Sequence, residues 1–132
     1  MDLIIGGFAQ GKLEYAKKQY TKHTVVDDSE YNNLLNMSVD EDETLIWNNL
    51  HLCIRDLLVR GAELGVVDDY VFSVVARFPN LVIISDEIGN GIVPLDEQDR
   101  IWREATGRIL CKVASESNRV VRVVCGIPTV LK

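Results

Sequence analysis

Cysteine is scarce in this sequence, and the three that occur (Cys53, Cys111 and Cys125) are far apart, with no C-x-x-C spacing. An odd number of widely separated cysteines argues against a disulfide framework and against a cysteine-rich metal site. Long hydrophobic runs are also absent, since no stretch approaches the roughly 18 apolar residues that a membrane-spanning helix needs. The first residues, MDLIIGG, lack the basic start and the length of a secretory signal. These absences predict a cytoplasmic protein that keeps its thiols reduced and has no membrane partner.

The chain is also short of positive charge, with 14 lysines and arginines against 20 acidic residues and a formal net charge of −6. Nucleic-acid binding depends largely on cations that neutralise phosphates, so a nucleic-acid partner is not expected. An anionic ligand would need a local positive site, such as a helix N-terminus with one lysine. The length of 132 residues is enough to bury a core, and we expect a single domain over residues 1–132.

Short apolar segments alternate with amphipathic segments along the chain. The predicted strands cover residues 3–5, 23–28, 44–47, 81–85 and 120–126, and a short tail follows the last of them. The predicted helices cover residues 11–22, 49–60, a segment capped by Asp68 or Asp69, and 95–116. Residues 29–43 show no period and are predicted to be a loop that could include a helical turn. This alternation predicts an α/β protein with a mostly parallel sheet of about five strands and helices on both faces.

The first predicted strand leads into a segment that matches the G-x-x-x-x-G-K pattern of phosphate-binding loops: Gly6, Gly7, Phe8, Ala9, Gln10, Gly11 and Lys12. In such loops backbone N–H groups and a helix N-terminus surround the phosphates, and the lysine contacts the β and γ phosphates. The next position should carry a hydroxyl that holds Mg²⁺, but it is Leu13. Residues 6–13 are therefore predicted to bind nucleotide, with Lys12 as a catalytic cation. The alternative is a glycine turn that only joins strand to helix and leaves Lys12 in solvent.

Residues 85–132 carry three motifs in the order of a known family. The loop DEIGNGIVP (86–94) precedes Gly107-Arg108, and Gly126-Ile127-Pro128 follows. In these motifs the chain resembles the adenosylcobinamide kinase/adenosylcobinamide-phosphate guanylyltransferase family, where a strand ends in N-E-V-G-x-G-I-V-P and a later strand ends in S-G-I-P. The glycine-rich start of the chain also fits that family.

The resemblance implies a P-loop NTPase-like three-layer sandwich that binds ATP or GTP. It implies that the substrate is adenosylcobinamide, whose aminopropanol hydroxyl is phosphorylated and then receives GMP through a guanylylated histidine during cobalamin assembly. Members of the family form a trimer, so a homo-oligomer is expected.

The family's groups that hold magnesium are replaced in this chain. The segment IWNNLHLCIRDLL aligns with the family's V-D-C-L-T-x-W-x-x-N-L-L pattern and puts Asn48 where the aspartate would be, while Leu13 replaces the loop hydroxyl. No protein ligand for Mg²⁺ is certain, and the candidates are Asp27, Asp28 and Glu87. By resemblance Glu87 is also a candidate catalytic residue, whereas the two aspartates could simply form a solvated turn.

The family's guanylyl-accepting histidine also has no counterpart, because residues 27–43 contain no His, Arg or Pro. His23 lies in an unrelated context, and His51, on the helix after Asn48, is predicted to be structural. The sequence thus predicts a nucleotide-binding protein in which guanylyl transfer is absent and kinase activity is weak or lost. The alternative is a non-catalytic nucleotide- or corrinoid-binding subunit that partners a fuller enzyme.

Overall fold

The structure is a computed structural model that describes residues 1–27, 30–89 and 91–132. Within these residues six strands form one sheet in the order β2-β3-β4-β1-β5-β6. The strands are β1 Asp2–Gly6, β2 His23–Val26, β3 Thr44–Trp47, β4 Leu81–Asp86, β5 Arg119–Val124 and β6 Ile127–Val130. Neighbouring strands from β2 to β5 are parallel, and β6 runs antiparallel to β5. The prediction of a mostly parallel α/β sheet is confirmed.

The C-terminal segment is a sixth strand, and its prediction as a tail was wrong. At the β5–β6 turn, Cys125 (φ 51°) and Gly126 (φ 75°) adopt left-handed backbone conformations that reverse the chain. Ile127–Val130 then pairs with β5 from Val124 back to Val121. Tight hairpin turns commonly use positive φ values, which glycine tolerates best.

Four α-helices pack on the sheet: α1 Lys12–Gln19, α2 Leu50–Val59, α3 Leu64–Arg77 and α4 Glu97–Glu116; a short 3₁₀ helix, Tyr31–Asn36, lies in the predicted loop. Alternate strand residues face opposite sides. Ile4 and Ile84 pack in one cluster with α1, and Leu3 and Ile83 pack in the other with α2, α3 and α4. Central strands buried on both faces explain the unbroken apolar runs of the sequence. The arrangement is a three-layer sandwich, as predicted.

Helix α3 begins earlier than predicted. It starts at Leu64, after Glu63, rather than at a cap formed by Asp68 or Asp69. Val67 and Val71 are both buried, so the apolar stripe that stabilises the helix reaches back before Asp68. No helix in the described part of the chain combines the length and the apolar character needed to cross a bilayer.

The sheet order brings several chain segments together at the carboxyl ends of the strands. β4 lies directly beside β1, and Gly6 is in register with Asp86. β3 ends one strand further away and is followed by Asn48, and β2 at the sheet edge is followed by Asp27. Open α/β sheets bind ligands at this edge.

Candidate functional site

The loop from Gly6 to Lys12 joins the end of β1 to the first residue of α1. Gly11 caps the helix with a left-handed backbone (φ 89°), and Ala9 is also left-handed (φ 55°). A Cβ atom at Gly6 would lie 2.4 Å from the carbonyl oxygen of Val123, so that position has no room for a side chain. The α1 N-terminus therefore opens onto the loop, where its free N–H groups and dipole favour an anion.

Gln10 ties this loop to the β5–β6 turn. Its backbone carbonyl accepts a hydrogen bond from the Gly126 N–H (2.8 Å), and its side-chain oxygen accepts one from the Cys125 N–H (2.7 Å). Its side-chain amide also donates to the Phe8 carbonyl (3.3 Å). Gln10 is one of the predicted nucleotide-binding residues. In the structure its side chain connects the loop to the β5–β6 turn.

Lys12 is nearly buried, with 7% of its side chain exposed. Its Nζ donates to the Gly7 carbonyl at 2.6 Å and lies 2.6 Å from Oδ1 of Asp86. Burying an ammonium group is costly unless an anion or dipole compensates it, and here the Asp86 carboxylate does so. The simple-turn alternative requires Lys12 to extend into solvent. In the structure it does not.

Asp86 also contacts His51, which lies on α2. The Asp86 backbone N–H donates to His51 Nδ1 at 3.1 Å, and the Asp86 Oδ2 atom lies 3.3 Å from His51 Nε2. Because Nδ1 accepts a hydrogen bond, the proton of the neutral ring is assigned to Nε2, which faces the carboxylate. Only 4% of His51 is exposed.

Trp102 of α4 holds His51 from the other side. Its indole N–H donates to the His51 carbonyl at 2.7 Å, and the two rings stack with centroids 6.5 Å apart. The guanidinium carbon of Arg55 also lies over the Trp102 ring, 5.0 Å from its centroid. The position of His51 is thus set by both α4 and β4.

A cavity of about 430 Å³ opens above these residues. Its wall includes the predicted loop residues Phe8, Ala9, Gln10, Gly11, Lys12 and Leu13, together with Asn48, His51, Asp86 and Trp102. Phe8 is exposed at the rim, whereas Leu13 is partly buried against the α1-side core. The structure therefore gathers the glycine loop and the ends of β3 and β4 around one cleft.

The metal-ligand candidates from the sequence are distributed differently. Glu87 accepts a hydrogen bond from Arg122 of β5 at 3.0 Å. Asp27 accepts from the side-chain amides of Asn48 (2.7 Å) and Asn49 (3.3 Å). Asp28 lies outside the described residues. Among the residues that the structure describes, no group of three or more His, Cys, Asp or Glu side chains is arranged to hold a metal ion.

Asp86 is a site residue that the sequence did not single out. The family motif favours its neighbour Glu87, whereas in the structure it is Asp86 that contacts Lys12. The available signal was strand alternation: adjacent residues at the end of a strand point to opposite faces. Knowing which face the loop occupies requires the sheet order.

A comparison with known families gives one match. The family model described as cobinamide kinase / cobinamide phosphate guanyltransferase matches residues 21–131 of the 132. The matched range includes Asn48, His51 and Asp86 and begins after the Gly6–Lys12 loop. No curated protein matches the chain.

Proposed function

Because this chain belongs to the cobinamide kinase / cobinamide phosphate guanyltransferase family, we propose that it binds the phosphates of ATP or GTP in the Gly6–Lys12 loop. We include in the proposal that guanylyl transfer is absent and that kinase activity is weak or lost. The observation that carries the proposal is the nearly buried ammonium group of Lys12 at the start of α1, on the wall of the cavity. The Lys12 charge is compensated by Asp86, and the positive end of the α1 dipole beside this pair favours an anion within a chain of net charge −6.

The positions of the two histidines support the proposed absence of guanylyl transfer. A histidine that attacks the α-phosphorus needs a ring nitrogen with an accessible lone pair. In His51 the Nδ1 lone pair accepts the Asp86 N–H, and Nε2 faces the Asp86 carboxylate. His23 is the first residue of β2 and lies at the amino ends of the parallel strands, whereas the loop lies at their carboxyl ends. Incubation with GTP and Mg²⁺ followed by intact-mass analysis should show no added GMP, and a stable adduct on either histidine would refute this part.

The residue types at positions 13 and 48 support the proposal that kinase activity is weak or lost. Leu13 has no oxygen to offer, and the Asn48 side chain donates its amide to Asp27. Charge stabilisation by a metal is worth several kcal/mol, and a loss of about 4 kcal/mol would slow phosphoryl transfer roughly a thousandfold. Leu13→Ser combined with Asn48→Asp should recover part of the Mg²⁺-dependent turnover with adenosylcobinamide, and each single change should recover little. Robust turnover by the wild type would refute the loss of activity.

Nucleotide binding is tested by calorimetry with ATP and with GTP. Lys12→Ala should weaken binding at least about tenfold, because it removes the cation from a largely water-excluded site. Lys18→Ala, which removes the same charge from an exposed position of the same helix, is the matched control. Both variants are first checked for folding by circular dichroism. Equal affinities for wild type and Lys12→Ala would show that the loop only connects β1 to α1.

The replaced ligands also favour a second candidate, a non-catalytic nucleotide- or corrinoid-binding subunit that partners a fuller enzyme. Retained nucleotide affinity with no turnover in the wild type and none in the double variant would support it. Relatives form trimers, and we propose a homo-oligomer here as well, to be checked by sedimentation.

A further inference from the structure

The carboxylate of Asp86 lines the cleft and contacts the ammonium group of Lys12. We propose that Asp86 is the cation-holding residue of this site: it neutralises Lys12 in the free protein, and it is the residue that would hold a divalent cation arriving with a nucleotide. The inference rests on the proposed nucleotide binding and deepens it. It assigns to Asp86 a role that the sequence left to Asp27, Asp28 or Glu87.

The sheet order gives the first argument. β4 separates β1 from β3, so the carboxylate at the end of β4 is one strand nearer to the glycine loop than Asn48 is. Asp86 is in register with Gly6, the first residue of the loop. A carboxylate here can act on the same phosphates as one at the end of β3, because both strand ends border the same cavity. A carboxylate therefore borders the cleft even though position 48 carries an amide.

The contacts of the alternative residues give the second argument. Glu87 is bound to Arg122 and does not line the cavity, while Asp27 accepts hydrogen bonds from Asn48 and Asn49. Asp86 lines the cavity, and 15% of its side chain is exposed. Of these carboxylates in the described chain, Asp86 is the one in direct contact with the lysine of the loop.

The protein oxygens at this site are sufficient for Mg²⁺ only when the ion arrives bound to the nucleotide phosphates. Mg²⁺ commonly binds through one or two carboxylates, with substrate phosphates and water supplying the other oxygens. One carboxylate is therefore sufficient, whereas a resident site made by protein alone would need more ligands than the described residues assemble. When bound, the cation would supply charge neutralisation of the phosphates.

Charge gives the third argument. The Lys12–Asp86 pair is neutral as a whole, and a metal-free polyphosphate entering the cleft meets the Asp86 carboxylate as well as the lysine. The phosphates and the carboxylate are both negative, and like charges close to each other repel strongly where water is scarce. A cation between the phosphates and Asp86 removes this repulsion and leaves Lys12 available to the phosphates. Asp86 should therefore make the site selective for the metal-complexed form of the nucleotide.

The experiment measures the affinity for ATP and for GTP, by competition with a fluorescent nucleotide, in EDTA and in Mg²⁺. For the wild type, Mg²⁺ should increase affinity at least about tenfold, within the usual range of coupling between two ligands. In Asp86→Asn, the metal-free affinity should rise about threefold or more because a like charge is gone, and the Mg²⁺ effect should nearly disappear. Asp68→Asn, which removes a carboxylate that is paired with Lys112 of α4 and does not line the cleft, is the control and should behave as wild type.

Each outcome decides the inference. An Mg²⁺ effect that persists in folded Asp86→Asn, or that disappears instead in Glu87→Gln, overturns it. Lower affinity of Asp86→Asn in both conditions also overturns it, because Asp86 would then only support the loop. If Asp86→Asn does not fold, Asp86→Glu is used instead, because it keeps the negative charge on a longer side chain. This variant should reduce the effect of Mg²⁺ on nucleotide affinity about threefold or more. An unchanged effect overturns the inference. A wild type that binds nucleotide in neither condition refutes the proposed function itself, and this inference with it.

Discussion

Asn48 donates its side-chain amide to the carboxylate of Asp27 at 2.7 Å, joining the end of β3 to the end of β2. Asn49 donates to the same oxygen at 3.3 Å. The two amides use both lone pairs of this one oxygen, Asp27 Oδ1, without a metal ion. Asn48 is therefore part of a hydrogen-bonded connection between neighbouring strands.

Asn48→Asp should destabilise the protein at neutral pH. It converts a charge-assisted hydrogen bond into a contact between two carboxylates, and the lost bond alone is worth about 1.5–3 kcal/mol. Repulsion raises the pKa of the carboxylate pair in the folded state, so the penalty is largest above that pKa and falls as acid protonates one of the two groups. Urea unfolding of wild type and variant at neutral and mildly acidic pH measures both effects. Asn32→Asp, on the exposed side of the 3₁₀ helix, is the control, and equal losses in the two variants would contradict the prediction.

Gly6→Ala, at the end of β1, should destabilise the fold more than Gly65→Ala, inside α3. The added Cβ would lie 2.4 Å from the Val123 carbonyl oxygen, so β1 and β5 must separate or the loop must shift, typically at a cost of about 1–3 kcal/mol. Gly65→Ala in α3 meets no atom within 4 Å and should stabilise the helix by up to about 1 kcal/mol. Thermal unfolding of the two variants gives the comparison. A Gly6→Ala protein as stable as wild type would show that the Val123 carbonyl oxygen does not lie this close to Gly6.

Gln10→Ala should loosen the loop without removing a ligand-contacting charge. The variant loses the side-chain acceptor of the Cys125 N–H, a hydrogen bond worth about 1 kcal/mol. Amide hydrogen exchange at Cys125 should speed up in the variant, while exchange at Val121 in the middle of β5 should not change. Gln10→Glu keeps an acceptor for the same N–H and should preserve the slow exchange. Protection that is unaffected in Gln10→Ala would mean that the turn does not depend on this side chain.

The stability of the fold should fall in alkaline solution as buried tyrosines ionise. Burial and a hydrogen bond to Asp56 raise the pKa of Tyr31 to about 12. The unfolded chain loses this proton near pH 10, so the contribution of Tyr31 to stability is complete below about pH 10 and is lost as the pH rises towards 12. Burial also raises the pKa of Tyr20 and of Tyr70. Tyrosinate absorbance should therefore rise together with the loss of helical circular dichroism.

Tyr31→Phe is the variant that isolates one of these groups. It removes the ionisation, so its alkaline loss of stability between about pH 10 and 12 should be smaller than that of the wild type. At neutral pH it should be less stable, because the hydrogen bond from the Tyr31 hydroxyl to Asp56 is gone. Equal alkaline losses of stability in the wild type and in Tyr31→Phe would contradict the raised pKa of Tyr31.

Much of the fold could be predicted because burial leaves a periodic pattern. Strand Leu81–Asp86 is apolar on both faces, and α2 shows its buried side in Leu50, Cys53 and Ile54. The missed element is β6, where all four residues are exposed. Its stability comes from backbone hydrogen bonds to β5, and such bonds leave no pattern of side chains to read.

The sequence by itself determined the glycine loop pattern, its lysine, the apolar Leu13 after it and the amide at Asn48, because these are local matters of residue type and spacing. Tertiary structure alone decided which carboxylate Lys12 meets. The contact between Lys12 and Asp86 joins residues 74 positions apart, and it exists because β4 is inserted beside β1. Strand order depends on how helices and sheet bury their apolar faces together, which is a property of the whole chain and not of any one segment.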